Sequence, residues 1–537
     1  MLESAIVVSV MTRTIRLALA LLVATPLAAY ASSPLIIKTD KGKIRGAYTT
    51  DHQVREFKGI PFAAPPVGDL RWKPPQPAAA WKGVRDATEF GPRCMQAHIF
   101  KDMRFRDSGP SEDCLTLNIW TPSGARKGNL PVMVWIFGGG YAAGGTSEPR
   151  QDGQYLAHRN VVVVSMNYRL GIFGFFALPA LAAESPHHAT GNYGLEDQSA
   201  AIAWVQKNIA NFGGDPHNIT IFGESAGSFS VSTLMASPLS RDRFQKAIGE
   251  SGGAFHSGGL PYRTLQDTEQ RDAEFAKTAF GTDDLAKLRQ IPADEFLKKA
   301  MAAEKNHITY FSPDVDGWFL PESVPAIYAA GEQAHIPLLA GWNADEMRSA
   351  VTFANPPVTA DSFKKQAETM FGLNAAEFLK VYPANTDAEA VRSAGDFASD
   401  SFIVFSTWCW INAQVQTGDA PVYHYQLDLA PPADKFHPAG SGAFHSDDIE
   451  YVFGTLDSRV DAKIRPEDYK LSNEIGEYWT NFARTGNPNG NGLPNWPTYG
   501  PADYWQTMHL NTVSEARPAK HRARYEFLLN VWGKRAK

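Results

Sequence analysis

Cysteine is scarce: three residues in 537 are too few to build a disulfide scaffold. Neither they nor the scattered histidines show the spacing that makes a zinc site, so no metal is expected. Past residue 31 no apolar run approaches the ~20 residues that cross a bilayer, and no spanning helix is expected there. Neither sign of charge dominates, with 51 Lys and Arg against 57 Asp and Glu and a net charge of −6. That leaves no general field to draw a phosphate backbone, so nucleic acid is not expected as a partner. The glycine-rich text lacks the Gly-Lys-Ser/Thr ending of a phosphate loop. No dinucleotide fingerprint with a suitably placed acid is visible either, and no nucleotide cofactor is expected. What remains is ordinary globular text, 44% hydrophobic and 20% charged, without repeats or low-complexity tracts and long enough for a large core.

The first residues have their own pattern. Thr12-Arg13-Thr14-Ile15-Arg16 is basic, residues 17–29 are apolar, and Ala29-Tyr30-Ala31 is a small-x-small site. This reads as a secretory signal peptide spanning residues 1–31 and cleaved after Ala31, with Met1 or Met11 as the start. An uncleaved N-terminal anchor is the alternative. The reading predicts a secreted or periplasmic mature chain, residues 32–537, with no stable membrane association. In an oxidising compartment Cys94 and Cys114 would close a short loop if paired; three free thiols, Cys409 included, are the other arrangement their number allows.

Runs at 131–137, 161–166 and 218–222 are apolar or β-branched without alternation, as strands buried on both faces are. Between the last two, Leu195, Ile202, Val205 and Ile209 recur at near-helical spacing. Strand, helix, strand in that order predicts an α/β fold with a mostly parallel sheet and right-handed crossovers. From about 264 to 394 the composition turns to helix formers, read as a helical insertion within a single domain of residues 32–537. Strand-like text returns at 422–427, a helix is expected over about 472–484, and Gly486-Asn487-Pro488-Asn489-Gly490-Asn491-Gly492 reads as a loop.

Gly223-Glu224-Ser225-Ala226-Gly227 follows one of these strands and precedes a helix-compatible run. A serine on such a turn is held with its hydroxyl exposed, while the flanking glycines admit close packing of strand and helix. A serine nucleophile needs a base, and the base needs a carboxylate to fix its tautomer. In α/β-hydrolases the order is nucleophile, acid, histidine, which directs the search downstream. Asp345 and Glu346 end the strand-like Ile336-Pro337-Leu338-Leu339-Ala340-Gly341, and His445 sits in a loop of small residues; by spacing alone His437, His335 and His307 compete with it. Gly138-Gly139-Gly140 directly after a strand suits an oxyanion hole, with the N–H of Ala226 as a further donor.

At this point the chain resembles the type-B carboxylesterase and cholinesterase family. The run from Phe212-Gly213-Gly214-Asp215-Pro216 to Gly223-Glu224-Ser225-Ala226-Gly227 is similar to that family's nucleophile signature, and Glu112-Asp113-Cys114-Leu115-Thr116-Leu117-Asn118 to its second signature. Phe57-Lys58-Gly59-Ile60-Pro61, Asn167-Tyr168-Arg169-Leu170 and Asn192-Tyr193-Gly194-Leu195 also match, and the resemblance spans about 36–499. It implies an α/β-hydrolase fold and hydrolysis of small-molecule carboxylic esters through an acyl-enzyme, with no cofactor. Ser225 would be the nucleophile, Glu346 the acid in preference to Asp345, and His445 the base. Gly139, Gly140 and Ala226 would form the oxyanion hole, and Cys94 and Cys114 a disulfide. Glu224 and Ser251 match positions lining the family's gorge, where they either support the triad or serve packing.

Two departures bear on rate and substrate range. Phe137 stands where histidine or tyrosine is common before the glycines, and Met347 follows Glu346 where glycine is usual. The loop from Cys94 to Cys114 lacks the tryptophan with which the choline-binding subgroup holds a quaternary ammonium, so a cholinesterase is disfavoured. Its Lys101, Arg104 and Arg106 read as a solvated face offset by Asp102 and Asp107, with a local preference for acidic or polar acyl substituents as the alternative. Lactones, carbamates, amides or acyl transfer at the same site remain alternatives, as does a catalytically silent adhesion module. Neither the natural ester nor the oligomeric state follows from the sequence.

Overall fold

Apolar runs with no polar alternation need cover on both faces, and that requirement shapes the sheet. The structure, a computed structural model, describes residues 34–125, 128–255, 260, 262–304 and 311–533. The expected signal peptide and its cleavage point lie outside these residues. Residues Leu35–Lys537 cluster as one compact unit.

Among the described residues one sheet has eleven strands. In chain order these are β1 (Ala47–Tyr48), β2 (Val54–Pro61), β3 (Thr116–Pro122), β4 (Leu130–Ile136), β5 (Val162–Met166), β6 (Gly214–Glu224), β7 (Lys246–Glu250), β8 (Leu338–Asn343), β9 (Val422–Leu427), β10 (Gln506–Leu510) and β11 (Glu515–Pro518). In space they run β11-β10-β9-β8-β7-β6-β4-β5-β3-β2-β1. Every pairing from β5 across to β10 is parallel, while β1, β2, β3 and β11 join antiparallel. All residues of β5, β7 and β8 are buried. This is the mostly parallel, helix-covered sheet of an α/β-hydrolase.

From β4 the chain moves to β5 on one side and then crosses to β6 on the other. The order reverses there, and a crevice opens beyond the carboxyl ends of β4 and β6, where ligands bind in open α/β sheets. Helix α1 (Tyr193–Asn208) makes the crossover. Helix α2 (Ala226–Ala236) leaves β6 after a single residue and is buried along its whole length.

The expected insertion at about 264–394 is two helical excursions, because β8 lies inside that interval. The first carries helices from Leu265–Phe280 to Val324–Ala329 and the second from Arg348–Thr352 to Phe405–Thr417, beyond the expected end. Bulk composition cannot see a six-residue strand between helix-forming stretches, although the strand's own text could be read. In the second excursion Asp400–Val404 is a π-helical turn between two α-helices. No helix among the described residues is long and apolar enough to cross a membrane.

Cys94 and Cys114 are bonded, and the loop they close is fastened by its charges. Asp107, its side chain fully buried, pairs with Arg93. Arg106 reaches the Ser147 carbonyl and Asp152, each at 2.9 Å. Arg104 and Arg106 are exposed, as expected of a solvated face, and Arg106 in addition ties the loop to the segment that follows the Gly138-Gly139-Gly140 turn. Replacing both bonded cysteines with alanine is expected to lower stability by about 3 kcal/mol through the freed unfolded chain, measured by chemical denaturation. An unchanged midpoint and slope would mean that the ion pairs alone hold the loop.

Candidate active site

Because β6 ends at Glu224 and α2 begins at Ala226, the whole turn falls on Ser225, which adopts φ 54° and ψ −124°. A non-glycine residue held there costs on the order of 1–3 kcal/mol and persists only when its surroundings over-determine it. Here the Ser225 N–H donates to the Glu250 carbonyl of β7 at 2.9 Å. The flanking glycines are set by one atom. A Cβ on Gly227 would fall 1.9 Å from the carbonyl oxygen of Ile136 on β4, and a Cβ on Gly223 would fall 2.6 Å from the same oxygen.

The serine hydroxyl lies 2.9 Å from His445 Nε2. The other ring nitrogen, Nδ1, is 2.6 Å from Glu346 Oε2. Glu346 follows β8 and is buried; its Oε1 accepts from the Ser251 hydroxyl at 2.5 Å and from the Asn343 N–H at 2.8 Å. Ser251 is thus a hydrogen-bond donor to the candidate acid, held at φ 52° on the turn after β7. Asp345 points elsewhere, pairing with Arg348 and accepting from the Ala443 N–H. Of the rival histidines, His437 bonds Asp434 and His335 bonds the Gly331 carbonyl; His307 lies outside the described residues. The geometry therefore brings Ser225, His445 and Glu346 into one relay.

Burial presses the His445 imidazole toward its neutral form, but the carboxylates of Glu224 and Glu346 outweigh it and lift the ring to about 9. Glu224 Oε1 lies 3.3 Å from Nε2. Burial in turn pushes Glu224 up to about 8, against the pull of His445. A charge on Glu224 and a proton on His445 favour each other, so removing the carboxylate weakens the imidazolium.

Gly139 and Gly140, at φ 104° and 64°, turn their backbone beside Ser225, and both line the cavity in front of it. Among the described residues, the N–H groups of Gly139, Gly140 and Ala226 have no hydrogen-bond acceptor. Three unengaged donors, one at the head of α2, suit a developing negative charge. Phe137 does not line the cavity: it is buried and stacked on Tyr168, whose hydroxyl donates to its carbonyl at 2.7 Å. Met347 has φ −131°, so glycine is not required there.

The cavity encloses about 300 Å³. Phe100, Met103, Phe229, Leu260, Phe402 and Ile403 give it an apolar wall, while Asp102 and Arg150 also line it. Sequence reasoning missed most of these. Phe402 and Ile403 enter from the π-helical turn, and Phe402 meets His445 edge-on. Arg150 is backed by Glu148 at 2.9 Å. Asp448, missed although it lies three residues after His445, accepts from the Tyr425 hydroxyl at 2.7 Å.

With this geometry in hand, comparison with known proteins is specific. The model of the carboxylesterase family matches residues 33–528. Fumonisin B1 esterase of Sphingopyxis macrogoltabida is 38% identical over 490 residues, 89% of this chain and 87% of its own. Para-nitrobenzyl esterase of Bacillus subtilis (strain 168) is 37% identical over 476 residues, 86% of this chain and 92% of its own. A solved thermophilic PNB esterase superposes with a TM-score of 0.78 at 34% identity, covering 92% of this chain and 99% of that one.

Glu224→Gln is expected to move the acidic limb of kcat/KM toward lower pH. Removing a carboxylate that favours the imidazolium lets His445 lose its proton earlier as pH rises. A pH series of kcat/KM checks this, and an unmoved limb would show Glu224 to be electrostatically silent.

Proposed function

The chain belongs to the carboxylesterase family and is a carboxylic ester hydrolase, and from that premise we propose that it works through an acyl-enzyme on Ser225. The observation that carries this reading is the relay from Ser225 Oγ through His445 to Glu346 at the end of an apolar cavity. His445 Nε2 takes the hydroxyl proton as Oγ attacks the ester carbonyl. Glu346, held by Ser251 and Asn343, fixes the proton on Nδ1 and faces the imidazolium that forms. The oxygen that becomes negative sits against the N–H groups of Gly139, Gly140 and Ala226. Collapse breaks the ester C–O bond, and His445 returns its proton to the departing alcohol. Water, deprotonated by the same nitrogen, then releases the acid and regenerates Ser225.

The cavity favours an ester with one apolar group, set against Phe229, Leu260, Phe402 and Ile403, and of a size to fit about 300 Å³. Relatives named for esters as unlike as fumonisin B1 and a p-nitrobenzyl compound argue for choosing test substrates by shape. The signal-like first 31 residues and the Cys94–Cys114 bond both support export to an oxidising compartment.

Short-chain p-nitrophenyl esters test the mechanism. Wild-type protein should turn them over, and Ser225→Ala should lose about 10⁴-fold or more in kcat. Equal turnover by the two proteins would sink the nucleophile assignment.

A further inference from the structure

Tyr141 directly follows the three glycines and is fully buried at φ 60°. A bulky residue in the left-handed region is an outlier that its surroundings must impose. Its backbone is held by a bond of 2.7 Å from the Gly171 N–H to its carbonyl. Its ring packs against Phe175 at 4.9 Å. Phenylalanine could fill that space equally well, so packing does not account for the hydroxyl.

The hydroxyl belongs to a chain whose direction is fixed at both ends. Gln198 Nε2 on α1 can only donate, and it gives to Ser230 Oγ at 3.1 Å. Ser230 gives to the Tyr141 hydroxyl at 3.2 Å. That hydroxyl lies 3.0 Å from the hydroxyl of Tyr262, which lies 2.9 Å from Thr233 Oγ1. Thr233 gives to the Phe229 carbonyl at 2.8 Å, and a carbonyl can only accept. Protons therefore point one way throughout, from Gln198 through Ser230, Tyr141, Tyr262 and Thr233 to Phe229. Each hydroxyl gives one bond and takes one, an arrangement in which hydrogen bonds reinforce one another. Burial drives Tyr141 well above the ordinary phenol range and Tyr262 up to about 12, so both keep their protons at any working pH.

The chain links parts far apart in sequence. Ser230, Thr233 and Phe229 belong to α2, whose first residue, Ala226, carries one candidate oxyanion donor. Phe229 also lines the cavity, and its N–H donates to the Ser225 carbonyl at 2.9 Å. Tyr141 adjoins Gly140 and so the other two donors. Oxyanion donors act only when held within a few tenths of an ångström of where charge develops. We propose that Tyr141 is a positioning residue for the oxyanion hole: its hydroxyl, through the chain from Gln198 to Phe229, ties the glycine turn to the nucleophile helix. This rests on the acyl-enzyme reading of Ser225.

Tyr141→Phe keeps the ring and deletes the tie. It should lower kcat about ten- to a hundredfold with KM nearly unchanged, by the same factor at every pH, since no titrating group is removed. Affinity for a trifluoromethyl ketone, whose adduct places an oxyanion in the same position, should fall in step. Tyr262→Phe removes the acceptor of the Tyr141 hydroxyl and should act alike. The double variant should be no worse than either single one, because a chain broken once is broken. Tyr478→Phe is the control, since its hydroxyl gives a bond of 2.7 Å to the Pro494 carbonyl and takes no part in the chain; it should keep full kcat. Wild-type kcat in Tyr141→Phe, additive losses in the double variant, or an equal loss in Tyr478→Phe would each overturn the proposal. Should Tyr141→Phe fail to fold, Tyr262→Phe with unchanged kcat overturns it too. Ser225→Ala, assayed alongside, separates the two readings. Turnover by that variant faults the nucleophile, whereas a silent Ser225→Ala beside a fully active Tyr141→Phe faults the tie alone.

Discussion

The carbonyl oxygen of Ile136 occupies the space that a side chain at residue 223 or 227 would need. Because both neighbours are glycine, β4 and β6 run in parallel register up to Ile136 opposite Gly223, and α2 can start one residue after β6 stops. That contact sets the position of Ser225, and much else follows from it. The glycine turn after β4 begins where the strand ends, so it falls beside the serine. A Cβ on Gly138 would fall 2.9 Å from Ser225 Cβ, so even the first glycine of that turn answers to the elbow. The candidate nucleophile and oxyanion donors are thus products of one backbone crossing, and their relative placement depends little on flexible side chains.

Charge is managed differently, by side chains beneath the imidazole. Glu224, Glu250, Glu346 and Asp448 are all buried there. Burial raises Glu250 far above the carboxylate range and Asp448 to about 6, so the group does not carry four full charges at neutral pH. The donors are shared unevenly. Glu250 accepts from the Trp479 indole at 2.7 Å, whereas Glu346 accepts from a hydroxyl, a backbone N–H and the imidazole itself. The imidazolium expected during turnover therefore faces the carboxylate that receives the most hydrogen bonds.

The parallel sheet was legible because strands covered on both faces must be continuously apolar: 131–137 became β4, 161–166 became β5, and 422–427 became β9. Ser225 was legible from backbone needs, since strand, glycines and helix had to meet there. Glu346 and His445 were singled out by resemblance; spacing alone left rivals, and what separates them is hydrogen bonding that no local pattern encodes. Asp345 and Glu346 are adjacent residues of the same chemical type, yet one meets Arg348 and the other His445. The cavity wall was least legible. Its side chains come from the disulfide-closed loop, the segment after the glycine turn, α2 and the second helical excursion, so their meeting depends on the completed fold.

The π-helical turn at Asp400–Val404 gives that wall a property of length. A π turn holds one residue more than the α-helical turn it replaces, and each α-helical residue advances the chain by about 100°. Phe402 and Ile403 face the cavity from inside this surplus residue's turn. Loss of a single residue there would let the two flanking helices fuse in α-helical register and would rotate the wall away from His445, with every side chain in the stretch still present. The cavity wall is therefore open to change by indel as well as by substitution, at a point where one codon more or less redraws its shape.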